Sequence, residues 1–199
     1  METIRPELAT ALRSKVAMKY GIVLLRAWKE GGEEARSLLQ SEVQELGVSA
    51  AHAEHLCYFR NLRLLLSKLH EQKNIKGMDA FLLSVYDPFL WRSLKCANAV
   101  VRAQSAALFL DAFPIQSPQE GQIRTEQRLQ QQFEIMQDLL KDEDHRVRAL
   151  AARNVCRVLR DYWEAFPINT IRGLLVTVCS KLAKDISCIH VRVAGLLTL

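Results

Sequence analysis

Glycine and proline are scarce, 8 and 5 in 199 residues. Alternating β-branched runs are few as well, so the chain is expected to be helical rather than built on sheets with tight turns. No apolar run reaches the roughly 18–20 residues needed to span a bilayer, and the start carries Glu2 and Glu7 instead of a signal-peptide pattern. The five cysteines, Cys57, Cys96, Cys156, Cys179 and Cys188, are odd in number and scattered, mostly among apolar helix positions. They suit a reducing compartment, where a free thiol behaves as a small hydrophobe. A glycine-rich phosphate loop is missing, as is any Ser/His/Asp or Cys/His arrangement, so the sequence does not read as an enzyme and calls for no cofactor. His52, His55 and Cys57 form H-x-x-H-x-C, but two further ligands at matching spacing are absent and no metal site is expected.

Hydrophobic residues make up 49% of the chain, enough for a core, and charged residues 25%. A net charge of +5 and a pI near 9.0 permit contact with nucleic acid without requiring it.

The organising stretch is Leu139 to Leu159, LLKDEDHRVRALAARNVCRVL, an acidic turn feeding an amphipathic helix. Asp142 and Asp144 stand where carboxylates accept from free helix N–H groups. At about 100° per residue Val147, Ala151, Val155 and Val158 share one face. Similar stretches occur at 97–113 and 184–199, each with a Val-Arg pair near its helix start: Val101-Arg102, Val147-Arg148 and Val191-Arg192. Their spacings of 46 and 44 residues belong to the HEAT/armadillo class of repeats. The expected fold is therefore all-α, a HEAT/armadillo-type α-solenoid of antiparallel helix pairs.

Taken in order, residues 5–30 predict a helix on Leu8, Leu12, Val16, Tyr20, Val23 and Ala27, broken by Gly31-Gly32. A second helix, Glu33 to Leu46, is expected to close at Gly47, and Ser49 to cap a third carrying Leu56, Leu62, Leu65, Leu66 and Leu69. These form degenerate repeats over 1–77, ending in the polar segment 70–77. Three HEAT-like repeats follow, at about 78–114, 125–163 and 170–199. In the first, Pro88 predicts a break near Tyr86-Asp87. In the second, Glu126–Leu140 pairs with His145–Trp163, and in the third Thr170–Ala183 pairs with Ile189–Leu199. The last helix, VRVAGLLTL, lacks the polar outer face of a terminal repeat, which predicts a piece of a longer array.

Tyr86 to Ile115 carries a more specific pattern: Tyr86, Pro88, Leu90-Trp91-Arg92, Leu94-Lys95, Asn98, Val101-Arg102, Ala106-Ala107, Leu108-Phe109 and Ala112-Phe113-Pro114-Ile115. With Leu25-Arg26-Ala27-Trp28-Lys29 upstream and Val147-Arg148, Val155-Cys156 and Tyr162-Trp163-Glu164 downstream, it resembles the HEAT-repeat G-type, non-SMC subunits of condensin II. The resemblance implies a non-enzymatic scaffold in a nuclear complex that condenses chromosomes for mitosis. It also implies binding to the kleisin subunit, through it to the SMC ATPase subunits, and a basic surface offered to double-stranded DNA. No membrane and no small-molecule substrate are implied. The alternative is another HEAT scaffold, a cohesin-type regulator or transport adaptor, without DNA contact.

Three sets of residues are singled out. Arg102, Arg148 and Arg192 are expected to form a structural ladder, Arg102 reaching Asp144 and Arg148 reaching Asp185 in the following turn, since a fixed charge with five donors suits such bridging. Arg146, Arg153, Arg157 and Arg160 fall within roughly 60° on the face opposite Val147, and could track a phosphate backbone. The alternative is a solvated charged face. Lys73 and Lys76, with Lys68, Arg92 and Lys95 nearby in sequence, could extend a basic path or serve only solubility. Trp28, Trp91 and Trp163 are expected to pack, or at an exposed rim to anchor a partner peptide.

Overall fold

A computed structural model describes residues 14–117, 119–186 and 188–197, and every regular element among them is helical. The protein is all-α. The helices are α1 (Ser14–Glu30), α2 (Glu33–Ala51), α3 (Leu56–His70), α4 (Met78–Tyr86), α5 (Leu90–Ser93), α6 (Ala99–Ala112), α7 (Gln122–Leu139), α8 (His145–Asp161), α9 (Ile168–Val176) and α10 (Ile189–Leu197). Among the described residues no helix is long and apolar enough to cross a membrane. The chain divides into two compact units, Met1–Lys95 with Ile115–Gln119, and Cys96–Pro114 with Glu120–Leu199.

In the first unit α1 packs along α3, and α2 packs on α3 and α4. Leu62, Leu65, Leu66 and Leu69 of α3 are fully buried, each contributing about 1.5–3 kcal/mol by removal from water. The buried face of α1 is Ala17, Gly21, Leu24 and Trp28, one position on from the expected face. Val23 and Ala27 are exposed, and Leu8 and Leu12 lie outside the described residues. The cause is close approach: a Cβ on Gly21 would strike the Leu65 carbonyl oxygen and the Lys68 side chain. The small Ala17–Gly21 edge therefore faces α3.

Gly47 does not end α2, which runs on to Ala51. Glycine inside a helix costs about 1 kcal/mol relative to alanine. Here its missing side chain admits the Phe89 ring, whose Cζ would lie 2.9 Å from an added Cβ. Ser49 is consequently internal to α2, and α3 starts after His55 instead. Further on, α4 ends at Tyr86 and a turn through Pro88 leads into α5, the break that a missing backbone donor dictates.

In the second unit α6 packs on α8 and α8 on α10, while α7 packs against α8 and α9. The helix starts are capped alike: Asn98 accepts from the Val100 N–H at 2.9 Å, and Asp144 from the Arg146 N–H at 2.8 Å. Val147, Ala151, Val155 and Val158 form the buried face of α8. At the other end of the unit Phe113, Phe133 and Phe166 make a ring cluster, with Phe133–Phe166 centroids 4.4 Å apart and Tyr162 edge-on to Phe113. The Phe113–Pro114 peptide is cis. The expected helix Thr170–Ala183 is interrupted: α9 stops at Val176, and a wider turn and a 3-10 turn carry the chain to Lys184. Thr177 donates its hydroxyl to the Gly173 carbonyl at 2.9 Å there, the kind of local bond by which threonine loosens a helix ladder.

Candidate functional site

The repeat arginines build a regular device within the second unit. Arg102, in the first turn of α6, donates from Nη1 to the carbonyls of Cys96 and Ala97, closing the turn before its own helix. Its Nε and Nη2 fork onto both oxygens of Asp142, each at 2.8 Å, in the turn before α8. The pair is largely shielded, with side chains 15% and 11% exposed. Arg102 therefore bonds Asp142, not Asp144 as its spacing suggested. Asp144 is occupied by its own helix, capping Arg146 and accepting from the Arg146 guanidinium at 2.8 Å. That guanidinium, helped by the backbone N–H, holds the Asp144 carboxyl well below the usual carboxylate range against the opposing effect of burial.

Arg148 repeats the arrangement one turn on. Its Nη1 donates to the carbonyls of Asp142 and Glu143, and its Nε and Nη2 reach Asp185 Oδ2 at 3.1 and 3.0 Å. Asp142 and Asp185 are themselves locked, each accepting from a backbone N–H of its own turn, Asp144 and Cys188 respectively. Arg192 donates to the Asp185 carbonyl at 2.8 Å.

The basic stripe of α8 is less free than its spacing implies. Arg157 donates to Asp111 Oδ1 at 2.8 Å and to the Leu110 carbonyl at 3.2 Å, which makes it a second clamp between α8 and α6. Sequence reading missed this pair, although Asp111 stands one 46-residue period before Arg157. Arg146 and Arg160 pair with the carboxylates of Asp144 and Asp161 but keep most of their surface in water. Arg153 is exposed and donates from Nε to the Ala149 carbonyl of its own helix.

Lys73 and Lys76 belong to the first unit. Lys76 is exposed, whereas Lys73 is half-buried. Loss of water brings the Lys73 amine down to about 7, with the charge of Asp79 opposing. At neutral pH it carries only part of a charge. Lys68 pairs with Glu71 at 2.7 Å, and Arg92 bonds the Pro88 carbonyl.

Trp28 is packed beneath the Arg36 guanidinium, 5.1 Å from its ring centroid, and Trp91 donates to Asp87 at 2.9 Å. Trp163, in contrast, is 50% exposed on the turn after α8. A groove of about 750 Å³ runs beside α7, lined by Glu126, Gln127, Gln130, Phe133, Ala165 and Pro167. One carboxylate among amides supplies no acid–base pair. Among the described residues no three His, Cys, Asp or Glu side chains gather as a metal site. The arrangement is suited to holding helices in register and presenting a surface.

Residues 1–117, more than half of the chain, match the family model described as the Condensin II non structural maintenance of chromosomes subunit. The chain belongs to that family. Among curated relatives, the Condensin-2 complex subunit G2 of Mus musculus is 33% identical over 196 residues, 96% of this chain. That of Homo sapiens is 32% identical over 193 residues, again 96% of the chain. The Xenopus laevis subunit is 33% identical over 172 residues, 85% of the chain. The chain spans 17%, 17% and 15% of the length of these three relatives. No solved structure matches it. Within this condensin II family member, the A-F-P-I motif acquires a physical meaning: Phe113 sits at the centre of the ring cluster.

Proposed function

We propose that this chain is a non-catalytic scaffold segment of condensin II that acts on chromosomes in the nucleus during mitotic condensation. Its helix pairs at about 78–114, 125–163 and 170–199 are HEAT-like repeats of an α-solenoid, preceded by degenerate repeats over 1–77. They hold the kleisin subunit and, through it, the SMC ATPase subunits. The observation that carries the reading is membership of the condensin II family, with a relative aligned over 96% of the chain. The Arg–Asp clamps support it physically. They spend buried charge on fixing successive helices in one register, as a binding surface requires. A cohesin-type regulator or a transport adaptor, the other scaffolds the repeat pattern admits, draws no support from this kinship.

The test is co-expression of the 199-residue chain with the condensin II kleisin. The expected result is a stoichiometric complex on size exclusion. A folded, helical chain that elutes alone would refute the reading.

Double-stranded DNA contact is the second part of the proposal, carried by Arg146, Arg153 and Arg160, whose side chains stand in water on one helix. Arg157 serves the clamp to Asp111 and is left out of the test. Affinity is measured across a salt series for wild type and for Arg153→Gln with Arg160→Gln. Loss of two phosphate contacts lowers the slope of log K against log salt by about 1.8. Identical slopes would mark the stripe as a solvated face.

A further inference from the structure

The exposed arginine stripe of α8 leads to an aromatic side chain. Arg146, Arg153 and Arg160 follow one another at seven-residue steps, about 10.5 Å along the helix and about 20° apart in direction. Three residues beyond Arg160 stands Trp163, on the single 3-10 turn Trp163–Ala165. Arg160 and Trp163 line one hollow of about 410 Å³, together with Asp161, Tyr162, Glu164 and Ala165. Tyr162 is braced by its edge-on contact with Phe113, ring centroids 5.5 Å apart. The indole of Trp163 is half exposed. Arg160, 75% exposed, is held by Asp161 through Nε, and its terminal nitrogens make no bond among the described residues.

Guanidinium groups in a row follow phosphates, whether on one strand or two. An indole face beside a hollow is more selective. Aromatic side chains hold nucleic acid by stacking on a base, and in a duplex both faces of an internal base are already covered by its neighbours. The carboxylate of Glu164 argues likewise, since it repels a phosphate but accepts from the amino group of a base edge. We propose that the hollow beside Trp163 takes one unpaired base, with the flanking phosphates on Arg160 and Arg153, so that this surface prefers a single strand to a duplex. A protein partner anchored by the indole is the rival occupant; it leaves the three arginines leading to the hollow without a role. The proposal rests on the DNA-contact reading of α8 and adds the form of the nucleic acid.

The test titrates the 199-residue chain with a DNA single strand of about 12 nucleotides and with the duplex of the same sequence, at several salt concentrations. Intrinsic tryptophan emission and the anisotropy of labelled DNA are read together. The single strand is expected to bind at least about fivefold more tightly than the duplex and to quench the emission of Trp163. Trp163→Ala should weaken single-strand binding about tenfold with its salt slope unchanged, since stacking releases no counterions, and leave duplex binding within about twofold. Trp163→Phe keeps an aromatic face, so single-strand affinity should stay within about threefold while the quench disappears. Equal losses of both DNA forms in Trp163→Ala would overturn the proposal, as would an unchanged single-strand affinity. So would unaltered DNA binding with loss of kleisin co-purification, since the occupant would then be a protein. Arginine-dependent duplex binding without single-strand preference would remove this inference alone. Absence of salt-dependent binding to either form would remove the DNA-contact reading with it.

Discussion

Removing the Asp142 carboxylate tests whether the Arg–Asp clamps hold the helices in register or merely decorate them. Asp142→Ala deletes both arms of the Arg102 fork and the bond to the Asp144 N–H, all at 2.8 Å. It leaves a guanidinium, 15% exposed, with only the carbonyls of its own turn. Breaking a buried pair from one side costs about 3–5 kcal/mol, and the partial exposure brings the expectation to about 3 kcal/mol. For a chain of this size each kcal/mol shifts Tm by about 2–4 °C, so a fall of about 6–12 °C follows. Arg102→Ala should cost slightly less, because Asp142 keeps its backbone donor. The informative variant is Arg102→Met combined with Asp142→Leu. If the cost of the single changes is mainly the stranded charge, the double change removes that charge and should be milder than their sum by about 1.5–3 kcal/mol. It will not restore the wild type, since the turn carbonyls of Cys96 and Ala97 lose their donor. Urea unfolding gives the energies, and hydrogen exchange in 99–112 and 145–161 localises them. A double variant as costly as the two singles added together would refute the clamp.

Other outcomes follow from single features. Phe113→Ala removes the hub of the ring cluster and should destabilise by about 3–5 kcal/mol, read by urea unfolding; a loss below about 1 kcal/mol would show that the cluster collapses onto the gap. Gly47→Leu must displace the Phe89 ring, with an expected cost of about 1–3 kcal/mol and reduced protection of 86–93. The depressed Asp144 carboxyl contributes stability that is complete above its unfolded value near 3.8 and is lost as pH falls towards its lower folded value. Asp144→Asn should therefore flatten the acid limb of a Tm–pH curve below about pH 4, and an unchanged limb would count against the assignment. Lys73 works in the opposite part of the scale: its folded value of about 7 lies below the unfolded 10.5, so burial penalises the folded state below pH 7 and the penalty lifts as pH rises towards 10.5. Lys73→Met should raise Tm more at pH 6 than at pH 10; equal gains would show that the amine does not titrate in the fold.

What could be read from the sequence was whatever periodicity alone determines. The face of α8 needs only 3.6 residues per turn, and Val147, Ala151, Val155 and Val158 are where that period puts them. The Pro88 break needs only proline's missing donor. Contacts set by close approach were hidden. Nothing local distinguishes Gly47, inside α2 against Phe89, from a glycine that ends a helix, because the ring comes from another element. The one-residue rotation of α1 has the same origin, in the Leu65 carbonyl facing Gly21. The Arg102 partner was displaced by two positions for a related reason. Spacing locates the acidic turn, but only the turn's own bonds decide which carboxylate caps and which faces outward. Asp144 is consumed by the Arg146 N–H and guanidinium, and Asp142 remains for Arg102.

The arginines of α8 show how little a residue's type settles its role. Arg148 and Arg157 both leave the helix to grip an aspartate in a neighbouring element, with Asp185 and Asp111 nearly buried beneath them. The Arg148 pair is largely shielded from the ions that would otherwise screen it, while Arg157, its side chain 39% exposed, is neutralised by an aspartate that is nearly buried. Arg146 and Arg160 also touch carboxylates, yet lie mostly in water, where such a pair is weak and exchanges readily for another anion. A phosphate can compete for them and for Arg153, but not for Arg148 or Arg157 without dismantling the helix stack. The net charge of +5 therefore overstates what this stretch of α8 can offer a polyanion. Any DNA contact here rests on three peripheral guanidinium groups, enough to steer and to add salt-dependent affinity. The clamped arginines contribute by tying α8 to α6 and to the turn before α10.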